Sequence, residues 1–397
     1  MMTTGADFMR VLMINSNRGF VGGVERMIHK LSMEFIDQGW EVYGFFENTA
    51  NIDNEFDRVF TEIITSSGSN PEGIVQHYKK LHIDLVFIHK FTDPAVLIKL
   101  QAHFPTVVLV HDHEYYCLRR HKYFPFKRIN CSLPFNSIYC SVCSMLMQKR
   151  SDGWHRINLG KSVQVLNSIR DCDLFFVLSD FMKRNLIANG FDEHKINIML
   201  PHQEPAAELE APNGSVPIVL YVGQLIRGKG VDLLIKAFRE LRHPAILRIV
   251  GRGNDEEYLQ RLCEELGISH RVQFAGWMSD LTDEYNSAAL VCVPSRWQEP
   301  FGLVGIEAFA KARTVIAFDV GGISQWLKHG KNGLLVRAGN ISGFTKAIDS
   351  ILGSPQKAQS YAGAAVETVK ECYNRDLHNQ TLFDPLNNLI KQKRSNR

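Results

Sequence analysis

Two series of short apolar runs, each alternating with segments of helical periodicity, constrain the fold of this 397-residue chain more than any other feature. Runs with so few polar residues are typical of strands in a parallel sheet that is covered on both faces. Their alternation with helical segments predicts βαβ units and therefore a doubly wound α/β fold. The runs lie at 10–14, 41–46, 84–88, 106–110 and 174–178 in the first series, and at 218–222, 246–250, 272–274, 290–293, 315–317 and 334–336 in the second.

A proline-rich segment separates the two series and predicts a two-domain chain. Residues 204–217 read EPAAELEAPNGSVP, with three prolines, an Asn-Gly turn and no apolar period. We expect two Rossmann-like sheets to face each other across a cleft, because ligands of such sheets bind at the carboxyl ends of the strands. The predicted units are an N-terminal domain 1–205, a linker 206–217, a C-terminal domain 218–372, and a helical tail 373–397 that could pack back on the N-terminal domain.

Composition excludes several classes of protein. The formal net charge of +3 is too balanced for nucleic acid to be the expected partner of the whole molecule. No apolar stretch approaches the roughly 18 residues of a spanning helix, and the first apolar run, Val11 to Ile14, is too short for a signal peptide. We therefore expect a cytoplasmic protein.

The segment from Pro294 to Glu307 carries the strongest chemical signal. A buried-type strand ends at Pro294, a loop follows, and a helix is predicted to start near Gly302. Free amide groups at such a helix start, together with its dipole, form an anion site, and Gly302 lets a phosphate approach the backbone. Glu299 and Glu307 could accept hydroxyl hydrogen bonds at two places along a sugar nucleotide. The alternative is a capped helix with two solvated acids.

This segment resembles the retaining glycosyltransferases of family 4 (glycosyltransferase group 1), which have the GT-B fold. The resemblance covers nearly all of 218–340 and, more loosely, 10–200. It rests on the Pro-Ser pair, the two glutamates and the Phe-Gly between them, on a Gly-x-Leu-x-x-x-Lys-Gly element, and on glycine pairs in both domains. Here these are Pro294-Ser295, Glu299, Phe301-Gly302 and Glu307, then Gly223 to Gly230 with Lys229, and the pairs Gly22-Gly23 and Gly321-Gly322.

The resemblance implies a retaining glycosyltransferase that needs no catalytic metal or cofactor. It would move a sugar from a UDP- or GDP-sugar to a hydroxyl of a glycan or lipid-linked acceptor. Fixed cations and amide dipoles can stabilise the charge that develops on the leaving diphosphate. The implied catalytic residues are Glu299 (sugar hydroxyls), Lys229 (diphosphate) and His111 (donor sugar). The implied donor-binding residues are Gly22, Gly23, Arg227, Gly302, Leu303, Val304 and Glu307 (ribose).

Two positions depart from the family pattern and keep other functions open. Gln224 stands where the family usually has arginine, and Gln325 replaces the glutamate usual after Gly321-Gly322. A non-catalytic sugar-nucleotide-binding subunit is one alternative. A nucleotide-sugar epimerase or a glycan phosphorylase on the same fold is another.

Four cysteines are clustered in an insertion predicted over about 113–165. They are Cys117, Cys131, Cys140 and Cys143, and the last two have the Cys-x-x-Cys spacing of zinc ligands. A structural zinc site and free thiols are the leading interpretations. Disulfides are a third, although a cytoplasmic location disfavours them.

The same region is basic. Residues 117–170 contain ten Lys or Arg and a single acid, with aromatic residues interleaved. Such a surface would suit an anionic membrane, a lipid-phosphate-linked acceptor or an acidic glycan, and predicts peripheral association with the inner face of a membrane. The alternative is a solvated loop whose aromatic residues pack underneath.

Overall fold

The computed structural model describes residues 8–48, 52–65, 70–91, 93–124, 129–150, 153–207 and 216–395. Each series of apolar runs forms its own sheet, and all strand pairs in both sheets are parallel. The first sheet has seven strands in the order Ile196–Ile198, Leu174–Val177, Thr106–Leu109, Leu85–Ile88, Arg10–Asn17, Glu41–Asn48, Glu62–Thr65. The second has six in the order Val272–Gly276, Ile246–Val250, Ile218–Val222, Ala288–Val293, Thr314–Asp319, Gly333–Arg337.

The predicted fold class is confirmed, since each predicted apolar run overlaps one of these strands. Two strands, Glu62–Thr65 and Ile196–Ile198, were not predicted from the sequence, and they lie at opposite edges of the first sheet. Both are short and carry polar residues. An edge strand pairs on one side only, so it needs a less apolar sequence than a central strand.

Helices cover both sheets. Helix Gly23–Asp37 is representative: it buries Met27, Ile28, Leu31 and Phe35, which recur at helical spacing. The other helices before the linker are Asn54–Asp57, Pro71–Lys80, Pro94–Gln101, Ser137–Ser144, Leu159–Arg170 and Asp180–Ala188. Those after it are Val231–Arg239, Glu256–Glu265, Thr282–Ser287, Leu303–Ala310, Ile323–Trp326, Ile341–Leu352, Pro355–Cys372 and Arg375–Ser395.

The cysteine-bearing insertion follows strand Thr106–Leu109. It contains helix Ser137–Ser144 and two small antiparallel ribbons, one pairing Tyr123–Phe124 with Ile129–Asn130 and one pairing Met147–Arg150 with Gly153–Arg156. None of these elements joins the main sheet.

The chain crosses between the domains at two adjacent places. Of the predicted linker, 208–215 lies outside the described residues. Before it, Gln203 donates its backbone N–H to the carbonyl of Tyr373, 2.9 Å away, where the last two helices meet. Helix Arg375–Ser395 then packs on the N-terminal domain, with the ring of Phe383 5.2 Å from that of Phe35.

Among the described helices, none combines the length and the apolar character that crossing a membrane would require.

Candidate active site between the two domains

A cleft of about 580 Å³ lies between the two sheets. The strand ends Val222 and Val250 open into it from the C-terminal domain, and the loop before helix Gly23–Asp37 faces them from the N-terminal domain. Of the predicted site residues, five line this cleft, and they come from both domains: Gly22, Gly23, Leu303, Val304 and Glu307.

Two helices begin at the cleft with no side chain capping their first turns. Gly22 precedes helix Gly23–Asp37 and Gly302 precedes helix Leu303–Ala310, and neither position carries a side-chain cap hydrogen bond. Gly302 has φ 88°, a left-handed conformation that favours glycine. The first amide groups of both helices, with the positive ends of their dipoles, are therefore able to bind an anion in the cleft.

Glu307 lies one turn into the second of these helices. Its Oε2 accepts a hydrogen bond from the hydroxyl of Tyr285 at 2.8 Å. Burial raises the pKa of Glu307, while the Tyr285 hydrogen bond and the charge of Arg26 oppose that rise. The carboxylate is thus held at a fixed position in the cleft wall.

Three cations in the cleft were not identified from the sequence: Arg26, Lys30 and Arg252. Arg26 crosses between the domains, because its Nη2 donates to the carbonyl of Met278 at 2.6 Å. Burial lowers the pKa of Lys30, whose Nζ donates to the carbonyl of His202 at 2.8 Å. Helical periodicity from Gly23 could have identified Arg26 and Lys30, since residues three, four and seven positions apart share a helix face.

Lys229 and Glu299, both predicted site residues, form an ion pair in which the glutamate is buried and the lysine is partly exposed. The Nζ of Lys229 lies 2.7 Å from Oε1 of Glu299, which also accepts from Nε1 of Trp297 at 3.2 Å and from the hydroxyl of Ser295. Burial alone would raise the pKa of Glu299, but the charge and hydrogen bond of Lys229 bring it below its ordinary value. Neither side chain lines the described cleft, and Gly302 does not line it either.

The motif glycines allow the loops around this pair to dock on one another. A Cβ on Gly230, which has φ 70°, would lie 2.0 Å from the carbonyl oxygen of Pro294. A Cβ on Gly321, with φ 61°, would lie 2.1 Å from that of Glu299, and Gly322 donates its N–H to the same oxygen at 2.7 Å. No larger residue fits these positions without moving backbone.

Arg227 and His111 are predicted site residues with other neighbours. The guanidinium of Arg227 lies 4.7 Å from the ring centre of Tyr258 and 3.5 Å from a carboxylate oxygen of Asp232. Nε2 of His111 lies 2.9 Å from Nδ1 of His89, and burial lowers the pKa of His111 to about 3, so the ring is neutral at pH 7. Neither residue lines the described cleft.

Gln298, beside Glu299, is held by the cysteine-bearing insertion. Its Nε2 donates to the carbonyls of Cys131 at 2.8 Å and Lys122 at 3.3 Å. Nε2 of His113 lies 3.3 Å from the Gln298 carbonyl oxygen, and burial lowers the pKa of His113 to about 4. The insertion of the N-terminal domain therefore contacts the loop of the C-terminal domain that carries Gln298 and Glu299.

The two positions that depart from the family pattern also lie at the domain boundary. Gln325 accepts a hydrogen bond from the N–H of Asp180 at 2.8 Å and donates to the carbonyl of Leu178 at 3.3 Å. Gln224 lines the cleft, and its Nε2 lies 3.5 Å from where a Cβ on Gly22 would be.

A buried group of Glu34, His202 and His378 lines the cleft and was not predicted. Their possible ligand atoms lie within 4.8 Å of one another, a spacing that could hold a metal ion. Both ring nitrogens of His378 face oxygens, Oε2 of Glu34 at 2.8 Å and the carbonyl of Leu200 at 2.6 Å. Lys30 donates to the His202 carbonyl and adds positive charge beside the group, which opposes a cation here. The group is therefore described as a buried hydrogen-bonded cluster, in which burial lowers the pKa of His202 to about 4.

The four predicted cysteines surround a separate cavity of about 50 Å³. None of the four forms a disulfide in the described part of the chain.

Both halves of the chain match models of glycosyltransferase families. Residues 204–368 match the model for glycosyl transferases group 1, and residues 21–200 match the model for glycosyltransferase family 4. An uncharacterized glycosyltransferase of Methanocaldococcus jannaschii is 32% identical over 222 residues, which are 54% of this chain and 56% of that protein. The lipopolysaccharide core biosynthesis glycosyltransferase LpsE of Rhizobium meliloti is 33% identical over 43% of this chain and 49% of its own length. The chain spans about half the length of these curated relatives.

Solved structures resemble the whole chain. HepE of Anabaena in complex with UDP-glucose has a TM-score of 0.73 at 19% identity and covers 96% of this chain and 100% of its own. WaaG, described as a glycosyltransferase involved in lipopolysaccharide biosynthesis, has a TM-score of 0.67 at 16% identity and covers 94% of this chain and 98% of its own. The two-domain architecture is therefore the GT-B fold of glycosyltransferases.

Proposed function

Both halves of the chain match glycosyltransferase family models, and from that premise we propose that this protein transfers a sugar from a nucleoside diphosphate to a hydroxyl of a growing glycan, with retention of configuration. The observation that carries the proposal is the pair of uncapped helix starts that face one interdomain cleft. A nucleotide-sugar donor has its negative charge on its diphosphate, and this arrangement places the positive dipole ends of two helices at the walls of the cleft.

The donor diphosphate would bind at the amide groups of Leu303 and Val304. The loop at Gly22 and Gly23 closes on it from the other domain, and Arg26 and Arg252 add positive charge. Because fixed dipoles and cations are already aimed at the leaving group, charge can develop there without solvent reorganisation, and we propose that no metal is needed. The ribose hydroxyls would donate to Glu307.

The donor sugar would bind near Glu299. The described hydrogen bonds of this carboxylate all use Oε1, so Oε2 could accept from a sugar hydroxyl. Lys229 holds the carboxylate in place and contributes positive charge near the phosphates. His111 would contact the sugar as a neutral ring, because its pKa is far below 7.

Retention follows from attack on the same face that the diphosphate leaves. The acceptor oxygen forms a bond to the anomeric carbon as the bond from that carbon to the phosphate oxygen breaks. The acceptor proton passes to the departing phosphate, so no side chain has to act as a base. The helix dipole at Gly302 stabilises the charge on the leaving group.

We place the acceptor on the side of the N-terminal domain that carries the insertion. Helix Ser137–Ser144 exposes Ile138, Tyr139, Val142 and the adjoining Met145, and Arg119 lines the same small cavity as Tyr139. An apolar face next to basic residues suits a lipid-linked acceptor and a peripheral position on the inner face of a membrane.

The first test is ligand binding followed by transfer. Thermal shift with UDP, GDP and their sugar conjugates identifies the donor, since a ligand of the native state raises its stability. Glu307→Gln keeps the shape of the side chain but removes the charge that accepts the ribose hydroxyls. A hydrogen bond to a charged group contributes about 1.5–3 kcal/mol of binding free energy. We expect a donor Kd at least roughly tenfold weaker in this variant. The exposed Glu367→Gln in helix Pro355–Cys372 is the matched control.

Other results would point to the alternatives. Donor binding without turnover on any acceptor would indicate a non-catalytic subunit. Conversion of the donor with no acceptor present would indicate an epimerase, and a requirement for inorganic phosphate would indicate a phosphorylase. Equal donor affinity in Glu307→Gln and Glu367→Gln would refute the placement of the ribose.

A further inference from the structure

The two residues that precede Glu299 in the C-terminal domain are both held by the insertion of the N-terminal domain. The ring of His121 packs against the indole of Trp297, with ring centres 4.0 Å apart. The side-chain amide of Gln298 donates to two backbone carbonyls of the insertion. These contacts therefore cross the domain boundary directly beside the carboxylate that is proposed to meet the donor sugar.

Trp297 links the insertion to the ion pair of Glu299 and Lys229. Its Nε1–H donates to Oε1 of Glu299 at 3.2 Å, and the Nζ of Lys229 lies 5.5 Å from the centre of its ring. A Cβ on Gly228 would collide with the same indole, so the ring packs directly on the backbone beside Lys229 and cannot move toward it. The position of the indole and the orientation of the carboxylate are thus fixed together.

The insertion presents His121 from a constrained backbone. Its two neighbours, Arg120 and Lys122, have φ 66° and φ 47°, in the left-handed region that residues other than glycine rarely adopt. Such conformations persist only where the surrounding structure imposes them. The Nζ of Lys122 donates to the carbonyl of Leu133 and to Oδ1 of Asn185, each at 2.9 Å, and Asn185 lies in a helix of the N-terminal domain. His121 is therefore fixed to the body of its own domain.

His113 adds a contact to the backbone of the same loop. Its Nε2 lies 3.3 Å from the carbonyl oxygen of Gln298, and its Nδ1 lies 2.8 Å from the hydroxyl of Tyr116. A carbonyl can only accept a hydrogen bond, so this geometry assigns the proton to Nε2 and lets Nδ1 accept from Tyr116. Gln298 is thus bonded to the N-terminal domain through its side chain and through its backbone.

We propose that Trp297 and Gln298 are positioning residues, which make the placement of Glu299 depend on closure of the two domains. When the cleft opens, Glu299 keeps its ion pair with Lys229, but the two residues before it lose their contacts with the insertion. The orientation of the carboxylate is then no longer fixed. A donor sugar that is held for reaction only in the closed cleft is protected from attack by water. The inference rests on the proposed function, because it concerns the proposed donor-sugar contact.

The first test is Gln298→Ala, which removes the side-chain hydrogen bonds to the insertion. We expect kcat for sugar transfer to fall roughly tenfold, as for the loss of two hydrogen bonds. The Kd for UDP or GDP, whichever binds the wild type, should not change, because the phosphates and the ribose are placed at other residues. Gln359→Ala, at an exposed position on helix Pro355–Cys372, is the matched control. An unchanged kcat, or a weaker Kd that accounts for the whole loss, would overturn the proposal.

The ring contact is tested by two substitutions of one residue. His121→Phe keeps a flat ring against Trp297, whereas His121→Ala removes it. We expect kcat to fall roughly threefold to tenfold in His121→Ala, the range expected for loss of one aromatic contact, and to stay close to the wild-type value in His121→Phe. Equal rates in the two variants would show that the ring does not position the loop.

A measurement that needs no activity separates this proposal from the proposed function. The chain has five tryptophans, and ¹⁹F NMR of the protein labelled with 5-fluorotryptophan gives a signal for each, with Trp297→Phe identifying the one from Trp297. We expect this signal to shift in His121→Ala and Gln298→Ala but not in Gln359→Ala. Shifts in a protein that transfers no sugar would support the link between the domains and refute the proposed function. Normal transfer by all variants, with no shift, would refute the positioning role alone.

Discussion

At the scale of single residues, the central interaction is the ion pair of Lys229 and Glu299. Glu299 is buried and Lys229 is partly exposed, and such a pair contributes little net stability because the carboxylate loses its hydration. Its value is geometric: three donors fix Oε1, so the orientation of the carboxylate is set before any ligand arrives. Such preorganisation costs nothing at the moment of reaction.

Removal of the lysine should therefore affect stability as well as activity. Lys229→Ala leaves the buried carboxylate of Glu299 without its counter-charge, and we expect a loss of about 3 kcal/mol in the free energy of unfolding. Urea unfolding followed by circular dichroism measures it, with the exposed Lys236→Ala as the control. Adding Glu299→Gln to Lys229→Ala should restore part of the loss. Equal stability of the two single lysine variants would show that the pair is screened by solvent.

At the scale of elements, the glycines of the sequence motifs have two different structural roles. Gly302 begins a helix in a left-handed conformation and leaves its amides open to a ligand. Gly230 and Gly321 instead permit contact between loops, because a Cβ at either would collide with a carbonyl oxygen. The helix start would bind the phosphates, and the docked loops hold Glu299 near it.

Helix Ser137–Ser144 is the element that we expect to contact the membrane. Ile138→Asn combined with Val142→Asn removes two exposed apolar side chains, each worth about 1–2 kcal/mol if it enters lipid. We expect at least tenfold weaker sedimentation with phosphatidylglycerol vesicles. Ile98→Asn, at an exposed apolar position on helix Pro94–Gln101, is the control. If the wild type does not bind these vesicles, the membrane prediction is wrong.

At the scale of the whole molecule, the two domains are closed on each other by polar contacts. Several hydrogen bonds cross the boundary between the domains. The side chain of Gln325 accepts from the N–H of Asp180 and donates to the carbonyl of Leu178. The Ser179 hydroxyl donates to the Pro300 carbonyl, and Arg26 donates to the Met278 carbonyl. Gln298 adds hydrogen bonds to the carbonyls of Cys131 and Lys122, and each of these contacts is individually weak. Opening of the cleft for donor entry and product release is therefore accessible.

The amide of Gln325 is suited to this closure, because it donates to one domain-boundary group and accepts from another. Gln325→Glu keeps the acceptor but places a carboxylate oxygen against the carbonyl of Leu178. We expect the free energy that favours the closed arrangement of the domains to fall by about 1–2 kcal/mol. This change should be seen as a several-fold higher donor KM and a larger radius of gyration in X-ray scattering. Gln359→Glu, at an exposed position on helix Pro355–Cys372, controls for the added charge. An unchanged radius of gyration and KM would show that Gln325 does not hold the domains closed.

The amino-acid sequence by itself determined the two parallel sheets and the helix start at Gly302. Both depend on local patterns: apolar runs of strand length, helical spacing, and a glycine before an apolar helix. Only the tertiary structure decided which cations share the cleft, since Arg26 and Arg252 line it whereas Arg227 lies against Tyr258. It also assembled Glu34, His202 and His378 from distant parts of the chain. The physical reason is that the direction of a side chain depends on how the domains and the last helix pack, and that packing joins residues with no sequence relationship.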